Sequence, residues 1–344
     1  MSLNYTLPTL LVIPSGIGCS VGGFAGDAIP SARLLAKASG CLITHPNVMN
    51  GASLYWSDEN IQYVEGYALD HFVTGEYILK PVIAQKIGLL LDGGLSPEFR
   101  KYNLAVADGC RATLGLNVSS VAFTDSPLQI SIQKGCSGAS WGHLANPDDL
   151  LKAAKKLKDE GATAIAVVTR FPDEYECLDD YLQGDGVDLL AGAEAVISHL
   201  IVKQLNLPAA HSPAIKTFQT SFEIDPRAAA EEIGNTFLPS VLVGLSRAPD
   251  LIPSSRQSLI AAAQSTSLIQ VDNLKLVVAP STALGGESVL ACIERGIDLI
   301  MVDNECAMNV GSYQLGLEDN SFIFNGSNIY RASNYVEAAG LILA

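Results

Sequence analysis

Positive charge is scarce in this sequence. Its 344 residues include 21 Lys and Arg against 36 Asp and Glu, which gives a formal net charge of −15 at pH 7. Nucleic-acid backbones and anionic membrane surfaces both select clusters of Lys and Arg, so the composition argues against either as a partner. A small anion is still compatible with this charge, because one pocket needs only one or two local positive groups.

Membrane-spanning runs and secretion signals are not evident either. No uninterrupted apolar run approaches the roughly 20 residues that cross a bilayer, and the N-terminus lacks the basic-then-apolar pattern of a signal peptide. The seven cysteines are scattered and never form C-x-x-C, which argues against a disulfide framework or a structural zinc site. We therefore expect a cytoplasmic protein in a reducing compartment.

Three signatures of catalysis or nucleotide binding are missing. The sequence has no G-x-S-x-G and no G-K-[ST], and its first glycine-rich stretch reads G-x-G-x-x-x-G at Gly16, Gly18 and Gly22. The second predicted strand ends at His45 without an acid for a ribose hydroxyl. These departures from the dinucleotide fingerprint argue against NAD(P) as a cofactor.

The sequence does contain a regular alternation of apolar strands and amphipathic helices. The strand-like runs are continuous, which is typical of strands covered on both faces. Strand–helix–strand repeats with short links predict an α/β fold with a mostly parallel, Rossmann-like sheet built from βαβ units. The predicted strands are 10–14, 41–44, 87–92, 118–124, 164–169, 241–246, 275–280 and 299–303, and the clearest helices are 29–40, 148–161, 192–206 and 287–296. The segment 209–214 is expected to end a further short strand.

The predicted strands and helices are compatible with two similar halves, 1–172 and 189–344. The segments VVTRFPD and VGLSRAPD both read as a strand followed by Arg-x-Pro-Asp, and the acidic stretch 173–188 between them is a candidate hinge or surface excursion. One continuous domain is the alternative, because two short matches are weak evidence of duplication.

Polar residues gather where the predicted strands end. In an open parallel sheet these ends lie at one edge, and ligands bind in the crevice outside that edge. The residues that this argument brings together are His45, Asn47, Asp92, Arg170, His211, Arg247, Asn304 and Glu305. The alternative is ordinary turn chemistry, which explains the Asp and Asn residues better than the histidines and arginines.

Two glycine-rich loops before predicted helices are expected to wall this crevice. Glycine lets the backbone approach a ligand closely, and a helix N-terminus offers free N–H groups to an anion. The first loop supplies Gly16, Gly18, Gly22, Gly23 and Asp27, and the second supplies Ser281, Thr282, Gly285, Gly286 and Glu287. Each loop has an acid at the helix start, Asp27 and Glu287, and the simplest role of such an acid is to cap the helix. The functional alternatives are binding of a bridging divalent cation or hydrogen bonds to ligand hydroxyls. A bare anion beside a carboxylate is disfavoured.

This set of residues predicts an enzyme that acts on a small phosphorylated or carboxylated metabolite. The loops would hold the anion and Arg170 or Arg247 would neutralise it, with an ion pair to a nearby Asp as the alternative for each arginine. His45 or His211 would be the general acid or base, and Asp27 is the third catalytic candidate. The alternative function is a non-catalytic metabolite sensor that uses the same cleft.

The residue spacing demonstrates no metal site. Glu194 and His199 are five residues apart, which separates them by about 140° on a helix, so they form no zincin-like pair. Mg²⁺ bound by Asp27, Asp92, Glu287 or Glu305 stays open as a cofactor. A homo-oligomer is expected on general grounds alone.

Several segments distributed over nearly the whole chain resemble one conserved family. They are GIGCSVGGFAGDAIP, LITHPNVMNGA, VVTRFPD, GAEAVISHL, AHSPA and GGESVLACIERGIDLIMVDNE. Together they are similar to a domain-of-unknown-function family of photosynthetic microbes and plastids. The resemblance implies a soluble cytosolic or stromal protein, and it supplies no activity and no catalytic residue.

Overall fold

The structure is a computed structural model of the chain. It describes residues 7–14, 28–49, 58–134, 140–172, 190–214, 237–256, 268–303, 310–317 and 326–344, together with positions 183, 223 and 225. The strands of these residues are β1 Thr9–Leu11, β2 Leu42–Thr44, β3 Ile61–Tyr63, β4 Tyr77–Lys80, β5 Ile87–Leu91, β6 Val118–Phe123, β7 Ile130–Lys134, β8 Ser140–Leu144, β9 Ala164–Arg170, β10 Ala209–Ala214, β11 Asp250–Pro253, β12 Leu276–Pro280, β13 Asp298–Val302 and β14 Ile329–Ala332. The helices are α1 Ile29–Ser39, α2 Pro46–Met49, α3 Gly66–Val73, α4 Pro97–Leu114, α5 Pro147–Asp159, α6 Ala191–Leu205, α7 Phe237–Ser246, α8 Glu287–Glu294 and α9 Tyr335–Leu343.

The strands form two parallel sheets and two antiparallel pairs. The larger sheet has the order β14-β13-β12-β1-β2-β3, and the smaller has the order β10-β9-β5-β6. Every neighbouring pair in both sheets is parallel, whereas β4–β11 and β7–β8 are antiparallel. The predicted α/β class with a mostly parallel sheet is therefore confirmed, and the sheet is divided in two.

The helices pack on both faces of these sheets, so the fold has three layers: helices, sheets and helices. Alternate residues of a strand point to opposite faces, so Val277 and Ala279 of β12 join one apolar cluster and Val278 joins the other. The first cluster contains residues of α3, α5, α6 and α8, and the second contains residues of α1, α2, α4, α7 and α9. Both clusters include strands of both sheets, so the two sheets share the same apolar layers.

The division into two halves, 1–172 and 189–344, stays a prediction. Each sheet combines strands from both of these ranges. Almost all of the candidate hinge at 173–188 lies outside the described residues.

One predicted strand, 241–246, is wrong, because this segment lies in α7 (Phe237–Ser246). None of the helix residues is exposed and six of the ten are buried, so the segment 241–245 is continuously apolar or glycine and shows no helical stripe. A short, continuously apolar run cannot be distinguished from a buried strand by periodicity. Arg247 therefore follows a helix, and the repeated Arg-x-Pro-Asp motif occupies two different structural positions.

Candidate functional site

The carboxyl edge of the larger sheet brings several of the predicted site segments together. Strands β13, β12, β1 and β2 are neighbours and run in one direction, so the segments that follow them leave at the same edge. His45 and Asn47 follow β2, and the segment 281–287 follows β12. Gly16, Gly18, Gly22, Gly23, Asp27, Asn304 and Glu305 lie outside the described residues.

His45 connects two strands of this edge. Its Nε2 accepts a hydrogen bond from the Ile13 N–H at 3.0 Å, and the neighbouring Thr44 hydroxyl donates to the Leu11 carbonyl at 2.9 Å. Burial lowers the pKa of His45 to about 4, so its ring is neutral at pH 7. With one nitrogen engaged by the backbone, His45 holds the segment after β1 in place. Asn47 lies next to it in the short helix α2, partly exposed.

The second glycine-rich loop ends at the first turn of α8, where two acids already lie. Gly285, Gly286 and Glu287 are exposed, and the Ser288 hydroxyl donates a hydrogen bond to the Asp70 carboxylate of α3. Burial raises the pKa of Asp70, and the nearby Glu287 raises it further. A bare anion at this helix start would therefore meet negative charge.

Two hydroxyl residues precede these glycines. The Ser281 N–H donates to the Val302 carbonyl at 2.8 Å, which ties the loop to β13. The Thr282 Oγ1 is buried and has no hydrogen-bond partner within the described part of the chain. A buried hydroxyl without a partner is uncommon, so Thr282 is the loop's best candidate for a ligand contact.

At the carboxyl edge of the smaller sheet, Asp92 organises three segments of backbone. Its Oδ1 accepts from the N–H groups of Gly94 and Leu128 at 2.8 and 3.0 Å, and its Oδ2 accepts from the Arg170 N–H at 3.1 Å. The side chain is buried. Because both oxygens already accept backbone hydrogen bonds, the geometry gives Asp92 a structural role.

The two predicted arginines lie in different surroundings. The Arg170 Nε donates to the Phe171 carbonyl at 3.1 Å, and its guanidinium carbon lies 5.9 Å from the centre of the Phe99 ring. Arg247 is exposed at the end of α7. Asp250 accepts hydrogen bonds from Lys80 at 3.3 Å and Gln85 at 2.9 Å, so its carboxylate pairs with these residues and the alternative of an Arg247–Asp250 ion pair is not seen.

A cluster of titratable side chains occupies the junction between the two sheets. Strand β3 is the last strand of the larger sheet, and β10 is the first strand of the smaller one. His211 is the third residue of β10, and Glu65 follows β3 by two residues. Helix α6, which connects β9 to β10 in sequence, carries Glu194 and Ser198 one turn apart and therefore on one face.

The contacts within this cluster are short and directional. The His211 Nε2 lies 2.8 Å from Glu194 Oε1, and its Nδ1 lies 3.3 Å from the Ser198 hydroxyl. The Tyr63 hydroxyl donates to Glu65 Oε1 at 3.1 Å. The side chains of His211 and Glu194 are 13% and 17% exposed, so the pair is mostly buried but keeps some contact with solvent.

Electrostatics set Glu65 apart from the other described carboxylates. Burial raises the pKa of Glu65 to about 7, and the charge of Glu194 raises it too, while His211 and the Tyr63 hydrogen bond oppose this rise. Burial and Glu65 also raise the pKa of Tyr63, so its phenol stays a donor. Glu65 is therefore a carboxyl group that exchanges its proton near neutral pH.

Residues 8–344 match the model of a family described as a protein of unknown function, DUF3326. The chain belongs to this DUF3326 family. It is 49% identical over 318 residues to an uncharacterized lipoprotein of Synechococcus sp., a match that covers 92% of this chain and 87% of the relative. The predicted resemblance to a domain-of-unknown-function family of photosynthetic microbes is thus confirmed. Among the described helices of this DUF3326 protein, none is long and apolar enough to cross a membrane.

In this DUF3326 protein, helix α7 fixes the position of Tyr63 within the cluster of titratable side chains. A Cβ atom at Gly244 of α7 would lie 2.8 Å from two carbon atoms of the Tyr63 ring. Real Cβ atoms do not approach so closely, so the glycine makes room for the ring. The phenol is thereby held beside Glu65 by packing as well as by its hydrogen bond.

The arrangement fits proton transfer better than metal binding. No group of three or more His, Cys, Asp or Glu side chains in the described ranges is placed to hold a metal ion. A histidine oriented by one carboxylate, beside a second carboxyl with a shifted pKa, is a recurring acid–base pattern. Of the predicted catalytic residues, His211 is thus the one in a setting suited to this chemistry.

Sequence reasoning did not place Glu65, Glu194 or Tyr63 at this site. Glu194 and Ser198 stand four residues apart in the predicted helix 192–206, a spacing that already puts them on one helix face. Glu65 gave no comparable signal. It follows a strand of only three residues, Ile61–Tyr63, which the apolar pattern did not reveal.

Proposed function

We propose that this protein is an enzyme that transfers protons on a small metabolite, with Glu65 and His211 as its acid–base groups. The observation that supports this best is the placement of His211 between Glu194 and Ser198, beside a carboxyl group with a pKa of about 7. A catalytic acid or base works best when its pKa lies near the working pH.

Each side chain has a distinct role in this proposal. Glu194 accepts the Nε2 proton of His211 and so leaves Nδ1 as the reactive nitrogen. The 3.3 Å contact between Nδ1 and Ser198 is longer than an ordinary hydrogen bond, so a substrate hydroxyl or amine can replace it. Glu65 then exchanges a proton with the opposite side of the substrate, and Tyr63 donates to the same carboxyl.

The substrate in this proposal is a small phosphorylated or carboxylated metabolite. Asp70, which bonds to Ser288 at the start of α8, lies five residues after Glu65, or about 7.5 Å along the helix axis. Five residues also turn the helix by about 140°, so a molecule bound at Glu65 would have to extend around the start of α3 to contact the 281–286 loop, which offers the Thr282 hydroxyl and the Gly285 and Gly286 backbone. Because Asp70 and Glu287 are acidic, the anion would bind there together with a cation such as Mg²⁺.

Thermal-shift screening of a metabolite library, with and without MgCl₂, followed by product analysis of the stabilising compounds, tests this function. We expect turnover that falls about 10²- to 10⁴-fold in His211→Gln and in Glu65→Gln, the usual size of an acid–base contribution. His143→Gln is the matched control, since His143 is exposed on β8, and it should turn over normally. Turnover that survives both site variants would contradict the proposed roles.

A non-catalytic metabolite-binding protein is the second candidate. Both ring nitrogens of His211 have partners within the protein, as expected for a structural ion pair. In that case a stabilising compound would be recovered unchanged, and His211→Gln would alter stability without any effect on a product.

For location we propose the cytoplasm. Cys41, Cys110 and Cys292 are free and buried, which suits a reducing compartment, whereas the Synechococcus relative is named a lipoprotein. Cell fractionation together with the intact mass of the native protein distinguishes the two, because a lipid anchor adds mass and retains the protein in the membrane fraction.

A further inference from the structure

Three aromatic rings, tilted against one another, join two of the helices next to the candidate site. Tyr67 and His71 lie one turn apart on α3, and their ring centroids are 4.0 Å apart. The Tyr67 ring centroid is also 5.2 Å from that of His199 on α6. The three rings therefore form a bridge between α3 and α6, in the order His71, Tyr67, His199.

The outer end of this bridge carries an ion-pair partner. The His71 Nδ1 lies 2.8 Å from Glu76 Oε2, in the segment between α3 and β4. Tyr77 of β4 lies edge-on to His71 at 6.0 Å, and its hydroxyl donates to Asn206 Oδ1 at 2.9 Å. The outer end of the bridge therefore has a carboxylate against its imidazole ring.

At the inner end, no residue in the described part of the chain forms an ion pair with His199. His199 is partly buried, and its ring lies against the uncharged Tyr67 ring of α3. Burial lowers the pKa of His199, and a charge on His71 lowers it further. On the opposite side of α3, the acidic groups are Asp70, which is bonded to Ser288, and Glu287 of α8.

We propose that this bridge is a pH-sensitive joint that opens between α3 and α6 when both His71 and His199 are protonated. Two imidazolium rings on either side of one tyrosine repel each other, and among the described residues an acidic partner contacts His71 alone of the two. While the bridge is closed, burial disfavours a charge on His199. Once it opens, solvent stabilises the charge on His199.

The direction of the pH effect follows from this difference. An open state in which His199 has its ordinary pKa of 6.5 binds a proton more readily than the closed state, where burial lowers the pKa. Opening is therefore favoured as the pH falls below that value. Because Glu65 directly precedes α3, opening would also move Glu65 away from His211. An effect of opening on turnover therefore rests on the proposed function, whereas the joint itself does not depend on that proposal.

Hydrogen–deuterium exchange of peptides from 66–80, corrected for intrinsic exchange, tests the joint at pH 7.5 and 5.5. We expect a several-fold rise in the opening of wild-type α3 at pH 5.5 and no such rise in His199→Gln. The control His143→Gln should behave as wild type. This measurement needs no substrate, so its outcome is independent of any turnover assay.

Two results would overturn the joint. One is an opening of α3 that rises equally with acid in wild type and His199→Gln. The other comes from histidine NMR titration of the wild-type protein, which needs no variant to fold, and consists of a His199 pKa at or above that of the exposed His143. A His199 resonance that titrates at lower pH, with line broadening of Tyr67, supports the joint.

Discussion

Asp92→Ala is expected to lower the free energy of unfolding by about 3–5 kcal/mol, since a buried N–H left without an acceptor costs roughly 1–3 kcal/mol. The carboxylate accepts hydrogen bonds from Gly94, Leu128 and Arg170. These residues belong to three chain segments, which follow β5, β6 and β9 or lie at their ends. Urea denaturation monitored by circular dichroism measures the change.

A graded variant separates hydrogen bonding from charge. Asp92→Asn keeps one oxygen for Gly94 and Leu128 but turns an amide donor toward the Arg170 N–H. We therefore expect the free energy of unfolding to fall by about 1–2 kcal/mol, near the value of one hydrogen bond to a charged group. The matched control is Asp159→Asn in an exposed ion pair with Lys155, which should leave the stability unchanged. If Asp92→Ala is as stable as this control, Asp92 does not organise the edge.

Glu65→Gln is expected to raise the free energy of unfolding at pH 8 by up to about 3 kcal/mol, because each unit of pKa shift corresponds to about 1.4 kcal/mol. In the folded protein the pKa of Glu65 is raised from 4.5 to about 7. Below pH 4.5 the carboxyl is protonated in both the folded and the unfolded chain, so wild type and variant should then differ little. As the pH rises from 4.5 to about 7, the unfolded chain loses this proton before the folded one does, so wild type loses stability that the neutral glutamine retains.

Chemical denaturation of both proteins at pH 4.5, 6, 7 and 8 checks this expectation. Glu59→Gln, in the exposed turn before β3, provides a control whose difference from wild type should not depend on pH. A Glu65→Gln variant that is less stable than wild type at every pH would mean that the charged carboxylate is favoured where it lies. A gain in stability with a loss of turnover would identify Glu65 as a group kept for function at a cost in stability.

The architecture was accessible from the sequence because buried parallel strands leave a strong pattern. Continuous apolar runs such as 87–92 and 164–169 correspond to β5 and β9, and the helix predicted at 148–161 corresponds to α5. The same rule failed at 241–246, where a buried helix is equally apolar. Strand β3 escaped notice because a three-residue strand lies below the length at which periodicity carries information.

The candidate site was only partly accessible for a different reason. His211 was predicted at the carboxyl end of a short strand, whereas it is the third of the six residues of β10, and its partners Glu194 and Glu65 come from other elements. Their meeting depends on β3 lying at the edge of one sheet and β10 at the edge of the other, and strand order is a tertiary property. His45 and Asp92 were found by the same strand-end argument, and the structure shows that backbone groups already engage them.

The central claim is that the junction of the two sheets holds a carboxyl group able to exchange a proton at neutral pH. Infrared difference spectroscopy of the ligand-free protein between pH 5 and 9, with Glu65→Gln as the reference, measures this directly. We expect a protonated-carboxyl band that disappears with a midpoint near pH 7 in wild type and is missing from Glu65→Gln. A spectrum in which all carboxyl groups, Glu65 included, have lost their protons by pH 5 would contradict the claim.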